Sequence, residues 1–98
     1  MQLTIIVSDK FVSIDKVGYF DVDMSTISSN VSAVQWYETQ GEIEIKDSSG
    51  KIIENRPIIS IDEFQPIIDS WTQQKLKAQQ ELKAIQEKAQ QELQAASA

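Results

Sequence analysis

The pattern of apolar and polar positions changes at about residue 64. Before this point, apolar residues occur in short runs, several of which alternate with polar residues, and turn-forming residues separate the runs. Beyond it, apolar residues recur at steps of three and four, which places them on one side of a helix. The pattern predicts an α+β fold with a small antiparallel β-sheet of about five or six short strands in residues 1–64. One long C-terminal α-helix is predicted in residues 65–98.

Six segments of the N-terminal part have the composition of strands. The predicted strands are residues 2–7, 11–14, 17–24, 31–38, 42–46 and 51–54. Turns are predicted at residues 8–10, 15–16 and 39–41, a hairpin loop at residues 47–50, and the end of the last strand at residues 55–57. Alternation directs Ile43 and Ile45 towards the core, and Gly18 indicates a bulge.

The start of the helix carries two opposing signals. Residues 60–63, with the sequence SIDE, match a capping box. Pro66 follows too closely for an uninterrupted helix, because proline lacks a backbone donor and crowds the preceding turn. We therefore expect a short turn at residues 61–64 and a main helix that restarts with Pro66 in its first turn. The helix should be docked on the sheet to about residue 72 and project beyond it. The residues predicted to dock are Phe64, Ile67, Ile68 and Trp71.

The remainder of the helix carries a narrow apolar stripe and an internal repeat. The sequence KAQQEL at residues 77–82 returns at residues 88–93, and this period of eleven corresponds to three helical turns. It argues against an ordinary left-handed heptad coiled coil. After a polar interruption at Gln74 and Lys75, the stripe comprises Ala78, Leu82, Ile85, Ala89, Leu93 and Ala96. Two interpretations are open: a surface for oligomerisation or for a protein partner, and a solvated helix stabilised by helix propensity and Lys–Glu pairs.

The charge is distributed unevenly. Residues 1–64 carry five Lys/Arg and eleven Asp/Glu, which accounts for the net charge of −6, whereas residues 65–98 carry four of each. An acidic N-terminal part disfavours binding to nucleic acid or to an anionic membrane. It is compatible with solubility, with a basic protein partner, or with mimicry of nucleic-acid charge. No apolar run approaches the roughly 20 residues that cross a bilayer.

The residue types for common catalytic chemistry are missing. The chain has no cysteine and no histidine, which removes thiolate chemistry, the commonest general base and the commonest zinc ligand. Asp21 with Asp23, and Glu42 with Glu44, would form carboxylate pairs on strands, able to act as acid and base or to bind a hard cation. Alternating carboxylates also simply keep a sheet face soluble. No nucleophile motif, phosphate-binding loop or metal-ligand spacing is present. We predict that the protein is not an enzyme and has no catalytic, cofactor or metal site.

Three large aromatic residues follow the early strands. One ring of the pair Trp36 and Tyr37 is expected in the core, and Trp71 beneath the helix. A second interpretation makes Tyr37 a surface anchor for a partner, because aromatic residues contribute much of the binding energy of protein interfaces.

Three stretches together resemble small proteins encoded among the late genes of tailed bacteriophages. They are VGYFDVDM at residues 17–24, VSAVQWY at residues 31–37 with GEIE at residues 41–44, and IISIDEFQPIIDSW at residues 58–71. Genes for such proteins commonly lie near tail and tail-fibre genes, and some of the proteins are labelled tail-fibre assembly proteins. The resemblance covers roughly residues 1–72 and excludes the repeat. It implies a phage origin and a role in assembly or in the virion, without assigning site residues.

These observations lead to three functional hypotheses. In the first, the protein is a non-enzymatic assembly factor or chaperone, and its helix recruits a phage tail or fibre protein or a second copy of itself. In the second, it is a decoration or adaptor subunit of the virion whose helix is buried in a multimer. In the third, it is a host-directed inhibitor that uses its acidic surface. The expected partner is a protein, with no nucleic acid, membrane, cofactor or small-molecule substrate, and the expected location is the virion or the host cytoplasm.

Overall fold

The computed structural model describes the backbone of residues 1–97 and the side chains of residues 1–93. It contains six strands and one long helix in the order β1 (Gln2–Ile6), β2 (Phe11–Ile14), β3 (Val17–Tyr19), β4 (Val31–Tyr37), β5 (Gln40–Lys46), β6 (Ile52–Ile58) and α1 (Gln65–Ser97). Short 3-10 turns, Val7–Asp9 and Asp62–Phe64, precede β2 and α1. All strands lie in one antiparallel sheet with the order β3-β2-β1-β4-β5-β6. The predicted α+β class and the number of strands are therefore confirmed.

Two tight turns organise the hairpins. Asp15 and Lys16 both have positive φ values, 48° and 71°, as a two-residue hairpin turn requires. The β4–β5 turn is formed by Glu38 and Thr39, so β5 begins at Gln40, and the predicted turn at residues 39–41 was wrong. The glycine in that prediction, Gly41, lies within β5, where a Cβ atom would collide with the backbone of β4.

The third strand is shorter than its alternation predicted. β3 ends at Tyr19, whereas the prediction extended to residue 24. Asp21 has a φ of 60°, which breaks the extended conformation. The N–H of the next residue, Val22, donates a hydrogen bond of 3.0 Å to the Lys10 carbonyl. Val22 is fully buried, so the loop after β3 contributes to the core.

Gly18 lies in β3, but it does not form the predicted bulge. It pairs in regular register with Ser13 on β2. A Cβ atom at this position would overlap the ring of Phe11, which in turn contacts the ring of Phe20 at a centroid distance of 4.9 Å. The glycine therefore makes room for an aromatic side chain that covers the strand.

The last strand is longer than predicted. β6 continues through residues 55–57, which were expected to end it, and Pro57 pairs with Glu42. Proline is tolerated because β6 is the edge strand and needs a partner on one side only. Six of its seven residues are exposed, and Ile58 is half-buried.

The core lies between one face of the sheet and the start of α1. A bulge in β4 between Val31 and Ala33 changes the alternation, so that Val31 and Val34 are both buried. The buried cluster comprises Leu3, Ile5, Val12, Ile14, Val22, Val31, Val34, Trp36, Ile43, Ile45, Phe64, Ile67 and Trp71. Ile43 and Ile45 thus face the core as alternation predicted.

The predicted short turn and restart of the helix are observed, with different capping. The 3-10 turn Asp62–Phe64 leads directly into α1, with Pro66 in its first turn. The Ser60 hydroxyl accepts a hydrogen bond of 3.2 Å from the N–H of Asp62, two residues on, and the capping box predicted for residues 60–63 is not formed.

The helix spans about 50 Å at 1.5 Å per residue, and the molecule measures 66 × 29 × 17 Å. Its radius of gyration, 18.4 Å, exceeds the value of about 13 Å for a compact domain of this size.

Candidate protein-binding surface on the C-terminal helix

The first turns of α1 are firmly docked on β2 and β3. Ile67 and Trp71 are buried in the core, as is Phe64 just before the helix, and Ile68 is partly buried against it. The Trp71 indole Nε1–H donates a hydrogen bond of 2.9 Å to the Val17 carbonyl on β3. Its ring lies edge-on to Tyr19 at a centroid distance of 6.0 Å.

The helix leaves the sheet at the polar interruption of the stripe. Gln74 Nε2 donates a hydrogen bond of 3.1 Å to the carbonyl of Asp21, in the loop after β3. The Lys75 ammonium lies 5.2 Å from the centre of the Trp71 ring, a cation–π arrangement. Contact with the sheet domain therefore continues past residue 72 to Gln74. Sequence reasoning noticed the interruption but did not assign it this role.

Beyond this point the apolar stripe continues on the same side of the helix without a neighbour within the described chain. At about 100° per residue, Leu82 and Ile85 fall on the angular position of Ile67 and Trp71. We call Ala78, Leu82, Ile85, Ala89 and Leu93 the distal stripe. Ala78 is partly buried, and every described residue from 79 to 93 is exposed. Leu82, Ile85 and Leu93 expose 56%, 65% and 76% of their surface. Ala96, the last predicted member, lies outside the residues with described side chains.

The flanks of the distal stripe are charged but unpaired. The helix has three Lys–Glu pairs at four-residue spacing, and none of them has an N–O distance within 4.0 Å. These pairs are Lys77 with Glu81, Lys83 with Glu87 and Lys88 with Glu92. Among residues 1–93, the ion pairs are those of the N-terminal amine with Glu38 and of Arg56 with Glu54. The solvated Lys and Glu side chains therefore remain available to a partner.

Tyr37 is exposed on the face of the sheet that points away from the core. Trp36 is buried and Tyr37 is 65% exposed, as expected for neighbours on a strand. Tyr37 lines a shallow groove of about 630 Å³ together with Gln35, Gln40 and Pro57. The groove is open and holds a single carboxylate, Glu42, so it lacks a constellation of catalytic groups.

Of the two predicted carboxylate pairs, Glu42 and Glu44 share one face of β5 and line a small pocket of about 180 Å³ with Gln35 and Asn55. Asp21 and Asp23 lie in the loop after β3, rather than on one strand face as expected. The Asp23 carboxylate accepts the N–H of Ser25 at 2.9 Å, and this hydrogen bond lowers the pKa of Asp23 below its usual value. Glu42 is exposed and Glu44 partly buried on β5. Within the described part of the chain, no group of three or more acidic side chains is placed to hold a metal ion.

No helix within residues 1–97 is both long and apolar enough to cross a bilayer. The chain matches no protein-family model, no curated protein and no solved structure with which it was compared.

Proposed function

We propose that this chain is a non-enzymatic assembly protein of a tailed bacteriophage. It acts as a chaperone or adaptor that binds a tail or tail-fibre protein through the distal stripe. The observation that carries the proposal is the exposure of three large aliphatic side chains, Leu82, Ile85 and Leu93, on one side of a helix that extends beyond its own sheet.

The energetics of the distal stripe favour a protein partner. Burying one large aliphatic side chain yields about 1.5–3 kcal/mol, so three such residues provide a substantial driving force. Ala78 and Ala89 leave room for the backbone of a second helix to approach closely. The flanking charges of residues 65–98 balance to zero, which suits a partner helix with mixed charges better than a nucleic acid.

The phage assignment has separate support. It rests on the resemblance of residues 1–72 to small late-gene proteins found near tail and fibre genes. The distal stripe lies outside that resemblance, which is compatible with a common sheet domain that carries a variable segment for partner selection.

One observation favours a second candidate. The eleven-residue repeat presents the same residues twice along the helix, as a helix that associates with copies of itself would. In this alternative the protein is a structural virion subunit that multimerises through the distal stripe. The two candidates differ in the mature particle, because a chaperone is absent from purified virions and a subunit is present in fixed copy number.

The test is a double substitution, Leu82→Gln with Ile85→Gln, in the full chain. We expect loss of binding to co-expressed tail or fibre protein, with the circular dichroism of the sheet unchanged. The matched control is Leu76→Gln, the same type of change at a half-exposed leucine on the other side of the helix. Unchanged binding by the double variant would contradict the proposal, as would equal loss in the control. Sedimentation equilibrium of the same variants reports whether self-association is also lost.

A further inference from the structure

The two edges of the sheet differ in length and in protection. β3 has three residues, and the Val17 carbonyl at this edge accepts the hydrogen bond from Trp71 of the docked helix. β6 has seven residues, and six of them are exposed. The helix contacts β2 and β3, at the far end of the sheet, so it leaves β6 uncovered. An open edge of this length offers a row of backbone groups to another strand.

The sequence of β6 is complementary to itself in reverse. We propose that two copies of this chain pair through β6 in antiparallel orientation, about a twofold axis at Asn55. This register places Glu54 opposite Arg56 of the second copy, and Arg56 opposite its Glu54. Beyond these pairs, Pro57 and Ile58 face residues 52–53 of the second copy, where a bulge shifts the register of β6 against β5. Opposed residues of an antiparallel pair lie on the same face, so each charge meets its opposite directly.

The two charged side chains already have the required orientation. Within one chain, Arg56 Nη2 lies 2.8 Å from Glu54 Oε2, because the two residues are two apart on one strand and share a face. Both side chains are about half exposed. A second strand in the proposed register extends this pair into a cluster of four charges across the twofold axis, in which each charge has two neighbours of opposite sign.

The regular part of β6, residues 54–58, has a backbone that fits the same register. Alternate residues of a strand direct their N–H and C=O groups to opposite sides. Pro57 has no N–H to donate to β5, so it belongs to the set that faces the free edge, and Asn55, two residues earlier, belongs with it. At the twofold axis, Asn55 of each copy then donates to and accepts from Asn55 of the other. Pro57 removes one potential hydrogen bond at each end of the pairing.

A second copy fits this edge better than an arbitrary extended segment does. Glu54, Arg56 and Pro57 are residues that discourage indiscriminate strand addition at an edge. A strand that places an Arg opposite Glu54 and an acidic residue opposite Arg56 neutralises both charges. A second copy of β6 in antiparallel orientation does this. The dimer would join two sheets into one, with both distal stripes still free, so the inference is independent of the proposed function.

Cysteine cross-linking tests the register. The chain has no cysteine, so a single introduced thiol can cross-link only to its copy. Asn55→Cys places two sulfur-bearing residues opposite each other, with Cα atoms about 5.5 Å apart, within the range that a disulfide spans. Ile53→Cys is the matched control on the same exposed strand, because its copy would lie about 13 Å away along the ladder. Under mild oxidation, we expect a covalent dimer from Asn55→Cys and at least tenfold less from Ile53→Cys. Equal yields, or no dimer from Asn55→Cys, would overturn the inference.

Charge reversal tests the complementarity. Glu54→Arg or Arg56→Glu alone creates two like-charged contacts across the axis and should weaken the dimer by about tenfold or more in sedimentation equilibrium. The double reversal restores every opposite pair and should restore the affinity. Thermal unfolding of each variant checks that the monomer remains folded.

A variant background without the distal stripe distinguishes association through β6 from association through the helix. All measurements are made with Leu82→Gln and Ile85→Gln present, so that association through the distal stripe does not contribute. A monomer at all concentrations in this background would refute the β6 dimer and leave the proposed function standing. A dimer that persists in this background and responds to charge reversal would support the inference, whatever the fate of tail-protein binding.

Discussion

The two halves of α1 present the same side of one helix to different surroundings. In the docked half, Ile67 and Trp71 are buried against the sheet, whereas in the distal half Leu82 and Ile85 occupy equivalent angular positions and are exposed. The distal half consists mainly of strong helix formers, whereas the docked half contains proline, aspartate, serine and β-branched residues with weaker helix propensity. Both halves nevertheless contain an apolar stripe. The width of the sheet, rather than the pattern of the helix, decides which residues are buried. An amphipathic pattern therefore reports the capacity to bury a face, and the length of the partner surface determines how much of that capacity is used within the chain.

The largest expected effect comes from removing the central docked residue. Trp71→Ala should lower the free energy of unfolding by about 3–5 kcal/mol, because it leaves a cavity and removes the hydrogen bond to Val17. Leu93→Ala in the distal half is the control and should change it by less than about 0.5 kcal/mol. Urea unfolding monitored by circular dichroism measures both. Similar values for the two variants would mean that the halves do not differ as described.

A smaller effect is expected at the boundary between the halves. Gln74→Ala removes the hydrogen bond to the Asp21 carbonyl and should cost about 0.5–1 kcal/mol, since the pair is exposed. Gln80→Ala is the matched control beyond the boundary and removes no contact with the sheet. A cost that both variants share would assign the effect to the helix itself, and the boundary would then lie elsewhere.

The smallest effect concerns acid stability of the sheet domain. Asp47 accepts hydrogen bonds from the Ser49 hydroxyl, the Ser49 N–H and the Lys51 N–H, at 2.6, 2.9 and 3.0 Å. These bonds, led by that from the Ser49 hydroxyl, lower the pKa of Asp47 in the folded state. The contribution of these hydrogen bonds to the free energy of unfolding is thus fully present above the unfolded pKa of Asp47, near 3.8. It is lost as the pH falls through the lower pKa of the folded state.

Urea midpoints measured from pH 6 to pH 2 test this contribution. Asp47→Ala should lower stability at pH 6 and make the decline below pH 4 slightly shallower than in the natural chain. A parallel decline in both proteins would exclude Asp47 as a source of the acid sensitivity. The effect is small because the loop is exposed to solvent and the carboxylate is well hydrated when unpaired.

Much of this architecture was predictable from local pattern. Alternation identified the strands, the change of period identified the helix, and the position of Pro66 predicted the restart. The errors have a common cause, since each residue was assigned its most frequent local role. Gly41 was assigned to a turn but lies in a strand beside a close backbone, and Pro57 was assigned to a strand end but lies in an edge strand. Pairing across the sheet decided these roles.

The candidate surfaces were predictable to different degrees. The distal stripe follows from helical spacing alone, because spacing within one helix is a local property. The role of Gln74 does not, because its acceptor Asp21 is 53 residues away in the sequence. The β6 edge could not be recognised either, since exposure of a strand depends on where it lies in the sheet order. Its one local signal was the proline, which is compatible with an edge position.

The strand order divides the sheet into two local units, and contacts between these units are expected to form later in folding than contacts within them. β1, β2 and β3 form one meander and β4, β5 and β6 another, each built from neighbours in sequence. Within the sheet, the β1–β4 strand pair joins the two meanders. The docked helix makes a second connection, because it follows the second meander yet contacts β2 and β3 of the first. Contacts between distant segments cost more chain entropy and form later than local hairpins. Helix docking should therefore be a late event that governs how long the native state lasts. In stopped-flow experiments, Trp71→Ala should mainly accelerate unfolding, whereas markedly slower refolding would show that the helix docks early.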